Sequence, residues 1–401
     1  MASRLHRQRS SVRLPSPESV VSSLVQERGA DILHLMYGGF GGQFSVVSEL
    51  SRRFRQLGLR SRACLYAPLA AFDAEPPEAS FDGVDRVVKG SRLDARGARE
   101  IGEVIARHRP RAAIMHISQA ATTIRRIRDD GGTHATVLVE HTPVELRTWP
   151  DEVRSFRALR HVDAVVFQSS NELERYRLRR LPIGALRAPR IIPNGIDLDR
   201  FSPGVDRRVG SATVQVGMAT RMAPQKDFAS LIRAVDILRD RRLPAFQVTL
   251  VGDGPDRPAL EELTDRLGLR DFVTFAGRIG SDEVVGFLQS LDVFVHATFG
   301  ESVGMALLEA YGVGLPILAT DVSGVNNMVR HGVDGLMVPA GHPAPLAEEL
   351  GRLIDDPELR RSLATAARRR AVADFGSELM ARRYLDVLAD VDPNGPWGTA
   401  S

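Results

Sequence analysis

The feature that most constrains this chain is a recurrence: short apolar runs separated by amphipathic stretches, repeated from residue 31 to residue 339. "DILHLMYG" (31–38), "RACLYAP" (62–68), "RAAIMHIS" (111–118), "ATVLVEHTP" (135–143) and "DAVVFQSS" (163–170) read as strands. Segments such as 45–57, 92–108 and 171–180 carry helix formers and polar faces. Strands this apolar are buried on both faces, which calls for a parallel sheet covered by helices.

A Pro/Gly-rich stretch, "RIIPNGIDLDRFSPG" (190–204), breaks the series and reads as a linker. A second series follows: "TVQVGMAT" (213–220), "FQVTLVGDG" (246–254), "FVTFAG" (272–277), "DVFVHATFG" (292–300), "PILATD" (316–321) and "GLMVP" (335–339). The fold class is therefore α/β, with two tandem Rossmann-like doubly wound parallel-sheet domains and a cleft between them. The expected boundaries are a disordered leader at 1–28, a first domain at 29–190, a linker at 191–210 and a second domain at 211–374. A tail follows at 375–401, and Phe375-Gly376 marks a break after which the last helix can return to the first domain. At 401 residues and 43% hydrophobic, the chain exceeds what one core usually supports.

Composition excludes several function classes. One cysteine, Cys64, rules out an internal disulfide framework and a thiolate metal knuckle, and argues for a reducing compartment. Aromatic residues are 6% and scattered, so the basic balance does not make a nucleic-acid face. The leader "MASRLHRQRSSVRLPSPESVVSSLVQER" lacks the apolar core of a secretory signal. No stretch approaches the roughly 20 apolar residues that span a bilayer. The expectation is a cytoplasmic protein, with a peripheral contact at the inner face of a membrane left open, as is the oligomeric state. Of 53 basic residues only Lys89 and Lys226 are lysines, so a lysine inside a motif attracts notice.

Ligands of open parallel sheets bind outside the carboxyl ends of the strands, and the motifs of this chain fall there. "MYGGFGGQFSVVSEL" (36–50) is a glycine-rich turn into a helix, suited to close approach by a phosphate but lacking the dinucleotide fingerprint. "VEHTP" (139–143) places His141 at a strand mouth, where an isolated histidine is more often structural. "RMAPQKD" (221–227) puts Arg221 and Lys226 in one loop, two cations able to neutralise a diphosphate or simply to face solvent. "VGDGP" (251–255) is a further strand-end turn. In "HATFGESVGMALLEAYGVGLP" (296–316), Gly300 and Gly304 shape a loop at a helix start and Glu301 can reach a sugar. Glu309 suits vicinal ribose hydroxyls, or is a buried helix residue paired with an arginine. "DLD" (197–199) and "DVD" (390–392) mimic a metal-binding pattern but lie in the linker and the tail, so no metal site is assigned.

Arg221-x4-Lys226, Glu301-x7-Glu309, "IPNGID", "VGDGP" and "GVDGLMVP" occur in the order found in family-4 retaining glycosyltransferases of the GT-B fold, which the chain resembles densely over about 190–340. The resemblance implies that Arg221 and Lys226 clamp the diphosphate of a nucleotide-sugar donor and that Glu309 holds its ribose. It places Glu301 and the backbone of Ser302, Val303 and Gly304 at the transferred sugar, and His141 near that sugar from the opposite domain. Gly42 brings an N–H toward the phosphate, and the base sits near Gly277 and Arg278. His141, Arg221, Lys226 and Glu301 are the candidate catalytic residues.

It further implies sugar transfer with retention, from a nucleotide diphosphate sugar (UDP favoured, GDP open) to a hydroxyl acceptor, with no cofactor and no metal. Thr220 and Asp227 replace glycines often seen beside the Arg/Lys loop, and Asn326-Asn327 replace a frequent Pro-Glu, which bears on loop shape and donor preference. A sugar-nucleotide epimerase of the same architecture is the alternative, and a non-catalytic sugar-binding protein a weaker one. An anionic lipid or phosphorylated acceptor could meet the arginines of 52–62 and 175–190, although solvated helix faces explain them equally.

Overall fold

The computed structural model describes residues 30–38, 41–69, 80–89, 95–117, 133–141, 148–149, 153, 155, 159, 161–178, 186–204, 213–301 and 304–398. The leader, Ser302 and Val303, and the Thr142-Pro143 end of the histidine motif lie outside them.

The first sheet has seven parallel strands in the order β3-β2-β1-β4-β5-β6-β7. They are β1 (Ile32–Tyr37), β2 (Ser61–Ala67), β3 (Val84–Val88), β4 (Ala112–Met115), β5 (Ala135–Glu140), β6 (Ala164–Phe167) and β7 (Pro189–Ile191). Helices α1 (Gly42–Gln56), α2 (Ala95–His108) and α3 (Ser170–Leu178) are described in this half. The second sheet has six, in the order β10-β9-β8-β11-β12-β13. Its strands are β8 (Thr213–Ala219), β9 (Ala245–Val251), β10 (Val273–Gly277), β11 (Val293–His296), β12 (Ile317–Thr320) and β13 (Leu336–Val338). Around it run α4 (Phe228–Arg239), α5 (Arg257–Arg266), α6 (Ser281–Gln289), α7 (Met305–Val313), α8 (Pro343–Asp355) and α9 (Pro357–Asp374). β1, β4, β5, β6, β11 and β12 are buried at nearly every position, which is the signature of strands covered on both faces.

Two strands escaped the sequence reading. β3 is short, lies at the sheet edge with only Val87 buried, and its Asp85-Arg86 pair breaks the apolar run. β7 runs into the start of the segment read as linker: Pro189 can open an edge strand because it has no N–H to give to the ladder. The strand at the histidine motif ends at Glu140, short of the 143 expected.

The last helix, α10 (Ser377–Val391), belongs by packing to the first domain. Met380, Ala381, Tyr384, Leu385 and Leu388 share one apolar cluster with Val46, Leu50, Phe54 and Val137. Arg111 fixes its end by a two-pronged contact with Asp392 at 2.6 and 3.0 Å. The two chain crossings run side by side: Ile196 N–H donates to Phe375 O and Ser377 N–H to Ile196 O, both at 2.8 Å. Gly195 is required there, since a Cβ on it would stand 2.8 Å from Ser377 Cα.

Candidate active site

Two loops of the second domain are zipped together by their backbones at the carboxyl ends of β8 and β11. Asp227 N–H donates to Ala297 O at 3.0 Å and Phe299 N–H to Gln225 O at 2.9 Å, with Lys226 bridging Thr298. This pairing carries Lys226 Nζ to 2.6 Å from Glu301 Oε2. His296, the last residue of β11, places Nε2 2.9 Å from the same oxygen. The side chains are 10%, 13% and 1% exposed in that order, so the three charges and dipoles interact with little water between them. Burial pushes the Glu301 carboxyl up, but the hydrogen bond from His296 and the Lys226 ammonium outweigh it and hold the group well below the usual carboxylate range. Burial keeps His296 neutral, with the Glu301 contact opposing and Lys226 reinforcing that effect. A neutral imidazole beside an ionised carboxylate donates through Nε2–H; its Nδ1 has no partner among the described residues.

Neighbouring motifs shape these loops. Asp227 is buried and caps α4 by accepting from Ser230 N–H at 3.1 Å, while also accepting from Gly341 N–H at 2.9 Å. The glycines of "VGDGP" let the segment bearing Arg221 lie against that turn: a Cβ on Gly252 would stand 2.0 Å from Thr220 O. Gly304 is left-handed at φ 64° and opens α7, whose first turn has no side-chain cap and no acidic residue. The N-terminus of α7 thus has no side-chain cap among the described residues and turns its positive dipole end toward the Glu301 loop. Glu309, in the middle of α7, has no ion pair among the described residues; burial raises its carboxyl to about 7, with Arg200 offsetting part of that. The arginine partner that would make it a structural helix residue is not bonded to it: Arg200 instead donates to Ser281, at 2.8 Å to its hydroxyl.

Across the cleft, Gly42 begins α1, again without a side-chain cap or an acidic first turn. His141 lies at the mouth of β5, but both its ring nitrogens are taken. Nε2 is 2.9 Å from His116 Nδ1 and Nδ1 is 2.9 Å from Gln168 Nε2. His116 Nε2 in turn meets His34 Nδ1 at 3.1 Å. Three buried imidazoles thus form one hydrogen-bonded chain ending on the Gln168 amide. Burial holds all of them neutral, His34 at about 3, His141 at about 4 and His116 well below its ordinary range.

The structure therefore brings together Lys226 and Glu301, with Gly304 at the head of the adjoining helix. Arg221 and Arg278 are exposed at strand ends, and Gly277, at φ 72°, ends β10. His141 is joined to its own domain rather than to the second. The sequence reading missed His296, His116, His34 and Gln168. His296 and His116 each stand at the end of an apolar run, the same signal that singled out His141.

Residues 210–370 match the family model described as glycosyl transferases group 1. Over that segment the chain is similar to the group 1 glycosyltransferases. Among relatives, the lipopolysaccharide core biosynthesis glycosyltransferase LpsD of Rhizobium meliloti is 39% identical over 177 residues, 44% of this chain and 49% of that protein. LpsE of the same organism is 29% identical over 311 residues, 76% of this chain and 81% of that one. The alignment with LpsD thus spans about half of that relative's length. Among solved structures, Anabaena HepE in complex with UDP and glucose superimposes with a TM-score of 0.76 at 20% identity, covering 90% of this chain and 100% of that one. That likeness establishes the two-domain GT-B fold for this chain. The matched segment, 210–370, holds Arg221, Lys226, Glu301 and Glu309, so the family signature and the loop cluster coincide.

Proposed function

We propose that the protein is a retaining glycosyltransferase that moves a sugar from a UDP-sugar to a hydroxyl of a saccharide acceptor. The observation that carries the reading is the Lys226–Glu301–His296 cluster beside the uncapped start of α7, inside the segment that matches the family. A diphosphate leaving group needs positive charge placed before the bond breaks, and Lys226, Arg221 and the helix dipole supply it. Glu301 is ionised and held in one rotamer by two partners, which suits it to accept hydrogen bonds from the hydroxyls of the transferred sugar. Glu309 accepts from the ribose. Attack comes from the face the leaving group occupies, with a donor phosphate oxygen taking the acceptor proton, so the protein's part is positioning and electrostatics without a metal.

HepE bound to UDP and glucose supports the choice of nucleotide, and the lipopolysaccharide core enzymes support a saccharide acceptor. The transferase names of the relatives do not favour the epimerase alternative. The test is a panel of UDP- and GDP-sugars with saccharide acceptors, read by nucleotide release and by NMR of the product anomer. An inverted product, or release of nucleotide from no donor in the panel, overturns the proposal.

A further inference from the structure

Beside the donor loops, against the two chain crossings, the domains enclose a cavity of about 380 Å³, within the roughly 300–1,000 Å³ typical of small-molecule sites. Polar groups reach it from three separate segments: Gln168 from the end of β6, Asn327 from the turn after β12, and Arg383 from α10. It adjoins the donor loop, because Leu308 and Gly324 line it and a Cβ on Gly324 would stand 2.0 Å from Glu301 O.

The hydrogen-bond capacity left over in this cavity identifies what fits it. Asn327 accepts from Asn171 Nδ2 at 2.6 Å through its oxygen, which leaves its NH2 to donate. Gln168 is held by the histidine chain: its amide nitrogen meets His141 Nδ1 at 2.9 Å, which leaves its carbonyl oxygen to accept. Arg383 has no ion-pair partner among the described residues. The other guanidinium on the wall, Arg370, is committed to Asp334 at 2.9 Å and Asp374 at 3.5 Å. Glu172, the remaining carboxylate there, accepts from Gln168 N–H at 3.2 Å. Of the groups that reach the cavity from these three segments, one cation, one amide donor and one amide acceptor are left to meet a ligand.

We infer that this interdomain cavity is a subsite for an acidic sugar, with Arg383 and Asn327 gripping its oxyanion and the Gln168 carbonyl taking a hydroxyl. The inference rests on the transferase reading only in calling that sugar the acceptor; binding itself does not. Gln168 is then a ligand-contacting residue, and His141, His116 and His34 are positioning residues that act through it.

Calorimetry on the full chain with glucose, glucose 6-phosphate and glucuronate, with and without UDP, tests it. At least one of the two acidic sugars is expected to bind tenfold or more tighter than glucose, the size of a charge-assisted hydrogen bond. Arg383→Gln is expected to erase that difference and leave UDP affinity within about twofold. His141→Leu, which frees the Gln168 amide, is expected to weaken all three sugars alike. Equal binding of glucose and both acidic sugars, no binding of either acidic sugar, or discrimination retained in Arg383→Gln overturns the inference. A protein that shows the discrimination but releases nucleotide from no donor refutes the transferase reading alone.

Discussion

Lys226 Nζ and Glu301 Oε2 stand 2.6 Å apart with both side chains nearly sealed from water, so the cation expected to receive a diphosphate is held by the carboxylate expected to receive a sugar. Removing either partner strands the other. Lys226→Met is expected to destabilise the fold by on the order of 3 kcal/mol, and the double variant Lys226→Met/Glu301→Gln by less than the sum of the two single changes. In steady-state kinetics Lys226→Met is expected to lower turnover about 100- to 1000-fold while weakening donor binding far less. Lys226→Arg is not expected to restore it, since a planar fork does not replace a compact ammonium in this loop. Additive stability changes, or near wild-type turnover in Lys226→Met, sink the reading of the pair.

His296 donates to the oxygen of Glu301 that also faces Lys226. A hydrogen bond to a charged group contributes about 1.5–3 kcal/mol, so His296→Leu is expected to cost roughly tenfold or more in turnover. His296→Gln, whose amide N–H reaches the Nε2 position, is expected to recover most of it. Equal losses in the two variants mean that the residue only packs.

Glu309 carries a carboxyl raised by burial to about 7 from its ordinary 4.5. As the better acceptor for ribose hydroxyls is the ionised form, UDP affinity is expected to rise as pH passes upward through about 7, and Glu309→Gln to flatten that rise. The linkage with folding has the opposite sense. A raised acid is a stabilising contribution fully present below 4.5 and lost as pH rises through 7, so Glu309→Gln is expected to raise the denaturation midpoint at pH 8 and not at pH 4.5. An unchanged midpoint difference across that window argues against a buried carboxyl.

The histidine chain sets acid sensitivity. His34 and His141 titrate at about 3 and 4 in the fold against an ordinary 6.5, so the unfolded chain binds more protons below 6.5. Their contribution is fully present above 6.5 and is lost as pH falls through those folded values. Denaturant midpoints are expected to drop from pH 6.5 to pH 4, less steeply in His34→Leu/His116→Leu. A parallel pH profile in that variant locates the acid loss elsewhere.

Metal removal is the remaining test. With Lys226, Arg221 and the start of α7 supplying charge to the diphosphate, activity is expected to survive EDTA. Loss in chelator, restored by magnesium or manganese, refutes the metal-free assignment.

The fold was legible in the sequence because covered parallel strands need predominantly apolar runs, and β1, β5, β6 and β11 are such runs. The order of Arg221, Lys226, Glu301 and Glu309 was legible for a related reason: strand ends are where a doubly wound sheet puts its loops. What those residues touch was not. Spacing along the chain cannot show that residues 75 positions apart share one hydrogen bond, as Lys226 and Glu301 do, because a backbone zipper between two loops decides it. Nor can it show that His141 gives both ring nitrogens to its own domain, or that α10 brings Arg383 to a cavity beside Gln168. Apolar pattern is a local property, fixed by burial of each strand. Partnership of polar groups is settled only when separate segments are packed together and each buried donor must find an acceptor.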